Sequence, residues 1–261
     1  MNIKKFLSFV PVFIFCFTLL LPPVFAEDLI VPKKIKEIFP DHAVAEKISK
    51  ILNKNSMCDV VTQGELNNIR SFRCEGKKED LDFIVNISGI QYLNNLNNLS
   101  IVNGGVFDLA PLSELTNLRE ITLRFNQVTD ISPLSKLNNV TYLDLSCNLI
   151  SDIRPLSSLT QLTYLCVRNN EIRDLSPLGS LKKLKILDIS QNMITDLSPL
   201  TSLENLIELS AILNSIEKCK QLSDLKNLRI LRTYPQNIVD NQSVLSKLKD
   251  WLFGVNKYNM V

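Results

Sequence analysis

An α/β solenoid is the fold class this sequence predicts, and three observations predict it. The first is a period. Leu96, Leu118, Val140, Leu162, Leu184, Leu206 and Leu228 each stand 22 residues after the last. The second is what the period contains: LREITLRFNQVTDISPLSKLNN from Leu118, VTYLDLSCNLISDIRPLSSLTQ from Val140, LTYLCVRNNEIRDLSPLGSLKK from Leu162 and LKILDISQNMITDLSPLTSLEN from Leu184. The spacing L-x-x-L-x-L-x-x-N marks a leucine-rich repeat. The third is the short remainder of each unit, too few residues for a long helix. The expected body is a leucine-rich repeat horseshoe with a parallel concave β-sheet, short 3₁₀ or α turns on its convex side, and a helical N-terminal cap.

Each element has a physical reason. In the unit from Leu118, Leu118, Ile121 and Leu123 alternate with polar residues, which predicts a half-buried strand. Asn126, Asn148, Asn170, Asn192 and Asn214 follow the strands. There the chain turns inward and leaves backbone groups without a ladder partner, which an amide can satisfy by both donating and accepting. Val128, Ile150, Ile172, Ile194 and Ile216 point inward on the return leg. The column Asp130, Asp152, Asp174, Asp196 fits turn capping better than calcium, since each unit offers one carboxylate where an oxygen cage needs several. Ser132-Pro133, Ser176-Pro177 and Ser198-Pro199, with Arg154-Pro155 as a variant, predict an N-cap followed by N1 of a brief helical turn.

A solenoid needs closed ends, because a bare terminal unit exposes its apolar face. Asp41 is positioned to cap a helix whose Val44, Ile48, Ile51 and Leu52 share a face, and Thr62 with Glu65 fits a capping box. Residues 27–68 are therefore expected to form the front cap and 69–243 the repeats. Residues 244–261, with Val244, Leu245, Leu248, Trp251 and Leu252 at helical spacing, are expected to close the back. Residues 1–26 fit a secretory leader: Lys4 and Lys5, an apolar stretch over 6–21, and Val24-Phe25-Ala26 at the cleavage position. The expected product is released, extracellular and monomeric.

Composition narrows the function classes. The chain carries 29 basic and 27 acidic side chains. Lys4 and Lys5 lie in the leader, so the remainder is neutral and offers no electrostatic case for nucleic acid or an anionic membrane. Once Cys16 leaves with the leader, five cysteines remain with irregular spacing, which argues for mostly unbridged thiols in a chain with a large core. Cys219 and Cys74 are expected inside the stack and Cys147 and Cys166 toward solvent, with a Cys58–Cys74 bridge left open. Cys166 has Asp144 and Asp188 as column neighbours, which oppose a thiolate, and His42, the single histidine, belongs to the front cap. No nucleophile pair, metal spacing or phosphate loop assembles, so no cofactor, no metal and no enzymatic activity are expected.

What remains is a surface. Strand alternation places three outward positions per unit on the concave side, in columns one strand spacing apart, ~4.8 Å. The first is Glu120, Tyr142, Tyr164, Ile186, Glu208, Ile230. The second is Thr122, Asp144, Cys166, Asp188, Ser210, Arg232. The third is Arg124, Ser146, Arg168, Ser190, Ile212, Tyr234. Tyr142, Tyr164 and Arg168 are expected at the centre of a partner-binding face, with Ile186, Arg124 and Phe125 beside them and Glu120, Asp144, Asp188 and Glu208 as a polar rim. Tyrosine and arginine are the side chains enriched at interface hot spots.

The D-I-S-P-L-S-x-L units, together with Ile38-Phe39-Pro40-Asp41-His42-Ala43-Val44-Ala45-Glu46, Val61-Thr62-Gln63-Gly64-Glu65-Leu66 and Gly89-Ile90-Gln91-Tyr92-Leu93, resemble the internalins, secreted and surface leucine-rich repeat proteins of Listeria. The resemblance spans residues 35–245. It implies a host-facing, virulence-associated binding protein that recognises a eukaryotic protein on its concave sheet. Family members usually follow the repeats with an immunoglobulin-like domain and, on the surface forms, a wall anchor. Neither is visible here, so a short secreted member is expected. The alternative kept at this point is an envelope-associated protein that binds a self partner or polysaccharide.

Overall fold

The computed structural model describes residues 32–76, 83–216, 222 and 225–233. The leader, Cys219, Tyr234 and the helical back cap around Trp251 lie outside the described residues. Strand β1 (Lys33–Lys34) leads into α1 (Ile35–Ile38) and α2 (His42–Ile51), and β2 (Val60–Val61) pairs antiparallel with β1 before α3 (Gln63–Leu66). Seven further strands one repeat apart and one leading strand then form a single parallel sheet in sequence order: β3 (Ser71–Glu75), β4 (Asn98–Val102), β5 (Glu120–Thr122), β6 (Tyr142–Asp144), β7 (Tyr164–Cys166), β8 (Ile186–Asp188), β9 (Glu208–Ser210) and β10 (Ile230–Arg232). This is a leucine-rich repeat solenoid with a helical N-terminal cap.

Both helix-start signals act as the sequence indicates. Asp41 accepts from the Ala43 and Val44 amides at 3.0 and 3.2 Å, and Thr62 and Glu65 close a reciprocal capping box. Asp41 does a second job that spacing did not reveal. Its other oxygen accepts from the Val85 and Asn86 amides, at 3.0 and 3.1 Å, tying the cap to the first turn of the array. The buried face of α2 is Ala43, Val44, Ala45, Ile48 and Ser49, while Ile51 and Leu52 are only half-buried at its end. Gly89 has φ 97°, and a Cβ there would collide with the Ile38 carbonyl and the Phe39 ring.

Within each unit the chain leaves its strand through one left-handed residue. Asn103, Phe125, Cys147, Asn169, Gln191 and Leu213 have φ between 54° and 59°. The ladder asparagine comes next. Asn170 donates to the carbonyls of Leu145, Val167 and Arg168 and accepts from the Ile150 amide, at 3.0 to 3.3 Å. It thereby stitches its own unit to the preceding one. Asn126, Asn148, Asn192 and Asn214 repeat the pattern.

On the convex side, 3₁₀ turns occupy Ser132–Lys136, Arg154–Ser158, Ser176–Ser180 and Ser198–Ser202. Their start differs from the sequence expectation by one residue. Ser132 is the first helical residue and Pro133 the second, and the preceding Ile131 makes no side-chain cap. The capping is done from one residue further back. Asp130, Asp152, Asp174 and Asp196 each accept from the amide two residues on, at 2.8 to 2.9 Å, in an Asx turn that also serves Asp108.

Two ladders escaped the sequence reading. Asn117, Asn139, Asn205 and Asn227 donate to carbonyls 23 residues earlier, and the hydroxyls of Ser158, Ser180 and Ser202 do the same one row away. Among the described residues no helix is long and apolar enough to cross a membrane.

Candidate functional site

Strand register sets the site. Glu120, Tyr142, Tyr164, Ile186, Glu208 and Ile230 are direct neighbours along the sheet, and so are Thr122, Asp144, Cys166, Asp188, Ser210 and Arg232. Two of the three predicted columns are thus formed; the third falls just past the strand ends, and its Tyr234 lies outside the described residues. Leu143 and Leu165 anchor the opposite side of β6 and β7 in the core with no exposure. That fixes Tyr142 and Tyr164 outward, where the rings stack at 4.2 Å between centroids with 7° between planes. Ile186 continues the shelf and is 37% exposed. Partial burial pushes both phenols above their ordinary pKa, Tyr164 the further.

The second column is not the solvated row that alternation suggested. Asp144, Cys166 and Ser210 are buried in it, Thr122 and Asp188 are half-buried, and Ser146 and Ser190 of the third column are buried beside them. Short side chains on strands ~4.8 Å apart lie low between taller neighbours, which limits their contact with water. Asp144 is therefore no rim residue. One of its oxygens accepts from the Ser146 amide at 3.0 Å and the Ser146 hydroxyl at 2.6 Å, and the other lies 3.9 Å from Arg124 Nε. Cys166 is likewise no surface thiol. Burial first, then Asp144 and Asp188, push it up to about 12, while the Arg168 amide and Ser146 act in the other direction. Cys74, expected inside, is half-buried, and Cys58 is an exposed thiol not bridged to Cys74.

The charged side chains divide into committed and open ones. Glu120 is bonded by Asn98, and Glu208 is paired with Arg232. Asp188 accepts from the Ser190 amide at 2.9 Å through one oxygen. Arg124 and Arg168 are exposed, and both are held by a left-handed turn residue. Arg124 lies 5.5 Å from the centroid of the Phe125 ring. Phe125 itself projects from the turn, not the strand, and is 47% exposed. Arg168 donates from Nε to Gln191 Oε1 at 2.8 Å, across to the next unit. Sequence reading passed over Gln191. The available signal was the 22-residue column of left-handed positions, which only a turn geometry reveals.

His42 lies in α2, away from Cys166 in the strands, and no group of three or more metal-ligating side chains occurs among the described residues. An open depression of about 510 Å³ lies between the turn starts of two units, lined by Thr129, Asp130, Ser132, Asp152, Arg154 and Pro155. The Arg154 guanidinium there is already bonded to the Asp152 carboxylate at 2.7 Å. The concave centre presents a stacked aromatic shelf with an aliphatic extension and oriented charges beside it.

Comparison with known proteins agrees with this architecture. Residues 24–67 match the family model described as the N-terminal region of bacterial adhesion/invasion proteins, Internalin_N. Residues 116–158 and 160–202 match leucine-rich repeats. The crystal structure of an internalin (inlF) from Listeria monocytogenes superposes with a TM-score of 0.69 at 34% identity, covering 84% of this chain and 69% of that one. That of internalin C2 from the same species gives 0.62 at 35% identity, covering 77% and 97%. A leucine-rich repeat protein of Leptospira interrogans, at 22% identity and a TM-score of 0.51, shares the fold. Among curated relatives, internalin H and internalin C of L. monocytogenes align over 76 residues at 37% and 32% identity. The alignments span 29% of this chain but only 13% and 24% of those two relatives' own length.

Proposed function

Because this chain belongs to the internalin family of leucine-rich repeat proteins, we propose that it is an exported, non-catalytic binding module that engages a host protein through its concave sheet, in a virulence-associated role. The observation that carries the reading is the Tyr142–Tyr164 stack. The core on the other side of β6 and β7 is closed by fully buried leucines, so stability does not require two large rings on the open face. Rigid aromatics beside an exposed isoleucine and two oriented arginines are what a protein-recognition surface needs. Solenoids present this face as their extended binding surface. Export rests on the leader-like residues 1–26, with cleavage after Ala26, and intact mass of protein from culture medium checks it.

The decisive test immobilises the purified protein, captures binders from host-cell extract, and repeats the capture with the Tyr142→Ala/Tyr164→Ala double variant. Truncating central aromatic anchors typically costs ~2 kcal/mol or more, at least a tenfold weaker Kd. Equal affinity with an unchanged melting midpoint would place the binding surface elsewhere, on the convex turns or the cap.

A further inference from the structure

The concave-face reading leaves open what the partner must present, and the hydrogen bonding around Arg168 addresses that. Arg168, two residues past the end of β7, and Asp188, the last residue of β8, carry opposite charges, one strand and two residues apart. At ~4.8 Å between strands and ~3.3 Å per residue their Cα atoms are within about 8 Å, close enough for long side chains to meet. They form no ion pair. Arg168 instead donates its Nε to Gln191 Oε1 at 2.8 Å, and this is its one side-chain hydrogen bond among the described residues. Gln191 is well placed to hold it, because its left-handed backbone, φ 56°, sits in the turn directly beyond β8. With Nε committed, the terminal nitrogens of a planar guanidinium remain, arranged to meet a carboxylate. Asp188 is half-buried and uses one oxygen on the Ser190 amide. The comparable carboxylates nearby already have partners: Glu208 is paired with Arg232, and Asp144 is hydrogen-bonded by the Ser146 amide and hydroxyl and lies 3.9 Å from Arg124.

We propose that Gln191 is a positioning residue that sets Arg168 to receive a carboxylate of an incoming polypeptide, while Asp188 receives a basic side chain next to it. The occupant is thus a protein segment carrying an acid and a base on one side, with an apolar or aromatic residue lying on the Tyr142–Tyr164 shelf. Charge complementarity selects this occupant. Two opposite charges kept apart on the free surface each lack a counterion that the partner supplies. A direct Arg168–Asp188 pair would cancel both, and Gln191 prevents it.

A random dodecapeptide phage library panned on the immobilised protein tests this. Retained peptides should carry Asp or Glu together with Lys or Arg near an aromatic residue, each enriched at least fivefold over the input. A synthetic copy of one such peptide should bind Arg168→Gln at least tenfold more weakly. Gln191→Met, which keeps length but removes the acceptor, should lower affinity about threefold or more without moving the melting midpoint. It should also weaken the salt dependence that wild type shows. Asp188→Asn should weaken only peptides that carry the base. Peptides that need the tyrosines but show no acidic enrichment, or that bind Gln191→Met as tightly as wild type, overturn this inference and leave the concave-face reading standing. Peptides indifferent to Tyr142→Ala/Tyr164→Ala, or no retained peptides, overturn both.

Discussion

Tyr142 and Tyr164, one strand apart in register, stack nearly parallel with 4.2 Å between ring centroids. Each ring covers the other and is itself half-buried, so the protein environment favours the neutral phenol and both pKa values rise above the ordinary value near 10. The sign of the linkage follows. A phenol whose folded pKa exceeds its unfolded one contributes stability that is complete below about pH 10, and that contribution is lost as pH climbs toward the folded value. Melting midpoints recorded from pH 8.5 to 11.5 should therefore fall more steeply for wild type than for Tyr142→Phe/Tyr164→Phe. Parallel curves for the two proteins would show that the pair titrates as if exposed.

The asparagine ladder makes a second claim on stability. Asn170 is buried and serves four backbone groups from two units. Asn170→Ala strands them without a partner, so unfolding free energy in urea should drop by about 1–3 kcal/mol. Asn139 supplies a control. It bonds the Thr116 carbonyl at 2.9 Å from an exposed position where water replaces it, so Asn139→Ala should stay within about 0.5 kcal/mol of wild type. Equal losses at the two sites would remove burial as the reason the inner ladder matters.

What the sequence made legible is what the period repeats. Leu143 and Leu165 face the core, Asn148 and Asn170 bond down the stack, and Asp130 and Asp152 start turns because each unit solves one packing problem in the same way. The Tyr142–Tyr164 adjacency follows from a shift of 22 residues alone. What stayed hidden depends on neighbours that differ between units. Alternation places Asp144 and Cys166 outward, but the height of the side chains around them decides that water does not reach them. The Arg168–Gln191 bond depends on a left-handed residue whose direction no apolar pattern encodes. Ser132 falls one position inside the helical turn because Asp130 caps it from two residues back, a distinction that Ser-Pro spacing does not make.

The left-handed column contains its own prediction. Asn103, Asn169 and Gln191 are polar there, whereas Leu213 is an exposed apolar residue at φ 57°. A left-handed L-residue costs roughly 1–2 kcal/mol, and asparagine bears that conformation best because its short amide bonds locally. Leu213→Asn should raise stability by about 0.5–1 kcal/mol, read as a higher melting midpoint. Phe125→Asn relieves the same strain but loses the Arg124 contact, worth about 0.5–1 kcal/mol at an exposed site, so its midpoint should barely move. A lower midpoint for Leu213→Asn would mean that the Leu213 side chain packs in a way its 50% exposure conceals.

Thiol reactivity distinguishes a buried concave floor from an open one. Cys166 is 6% exposed and its pKa stands at about 12, while Cys147 is half-buried in the turn beyond β6 and Cys58 is exposed in the cap. At pH 8 a thiol with that pKa carries on the order of a thousandfold less thiolate than an ordinary cysteine, and the thiolate is the form that alkylates. Burial lowers reagent access further. Iodoacetamide with peptide mass mapping should therefore modify Cys58 first and Cys147 next, and reach Cys166 only when urea unfolds the sheet. Repeating the reaction on Tyr142→Ala/Tyr164→Ala separates the two causes of protection. If the rings roof the thiol, Cys166 should label measurably faster in that folded variant. Labelling of Cys166 as fast as Cys147 in folded wild type would show that β7 admits solvent and that the second column is an open surface after all.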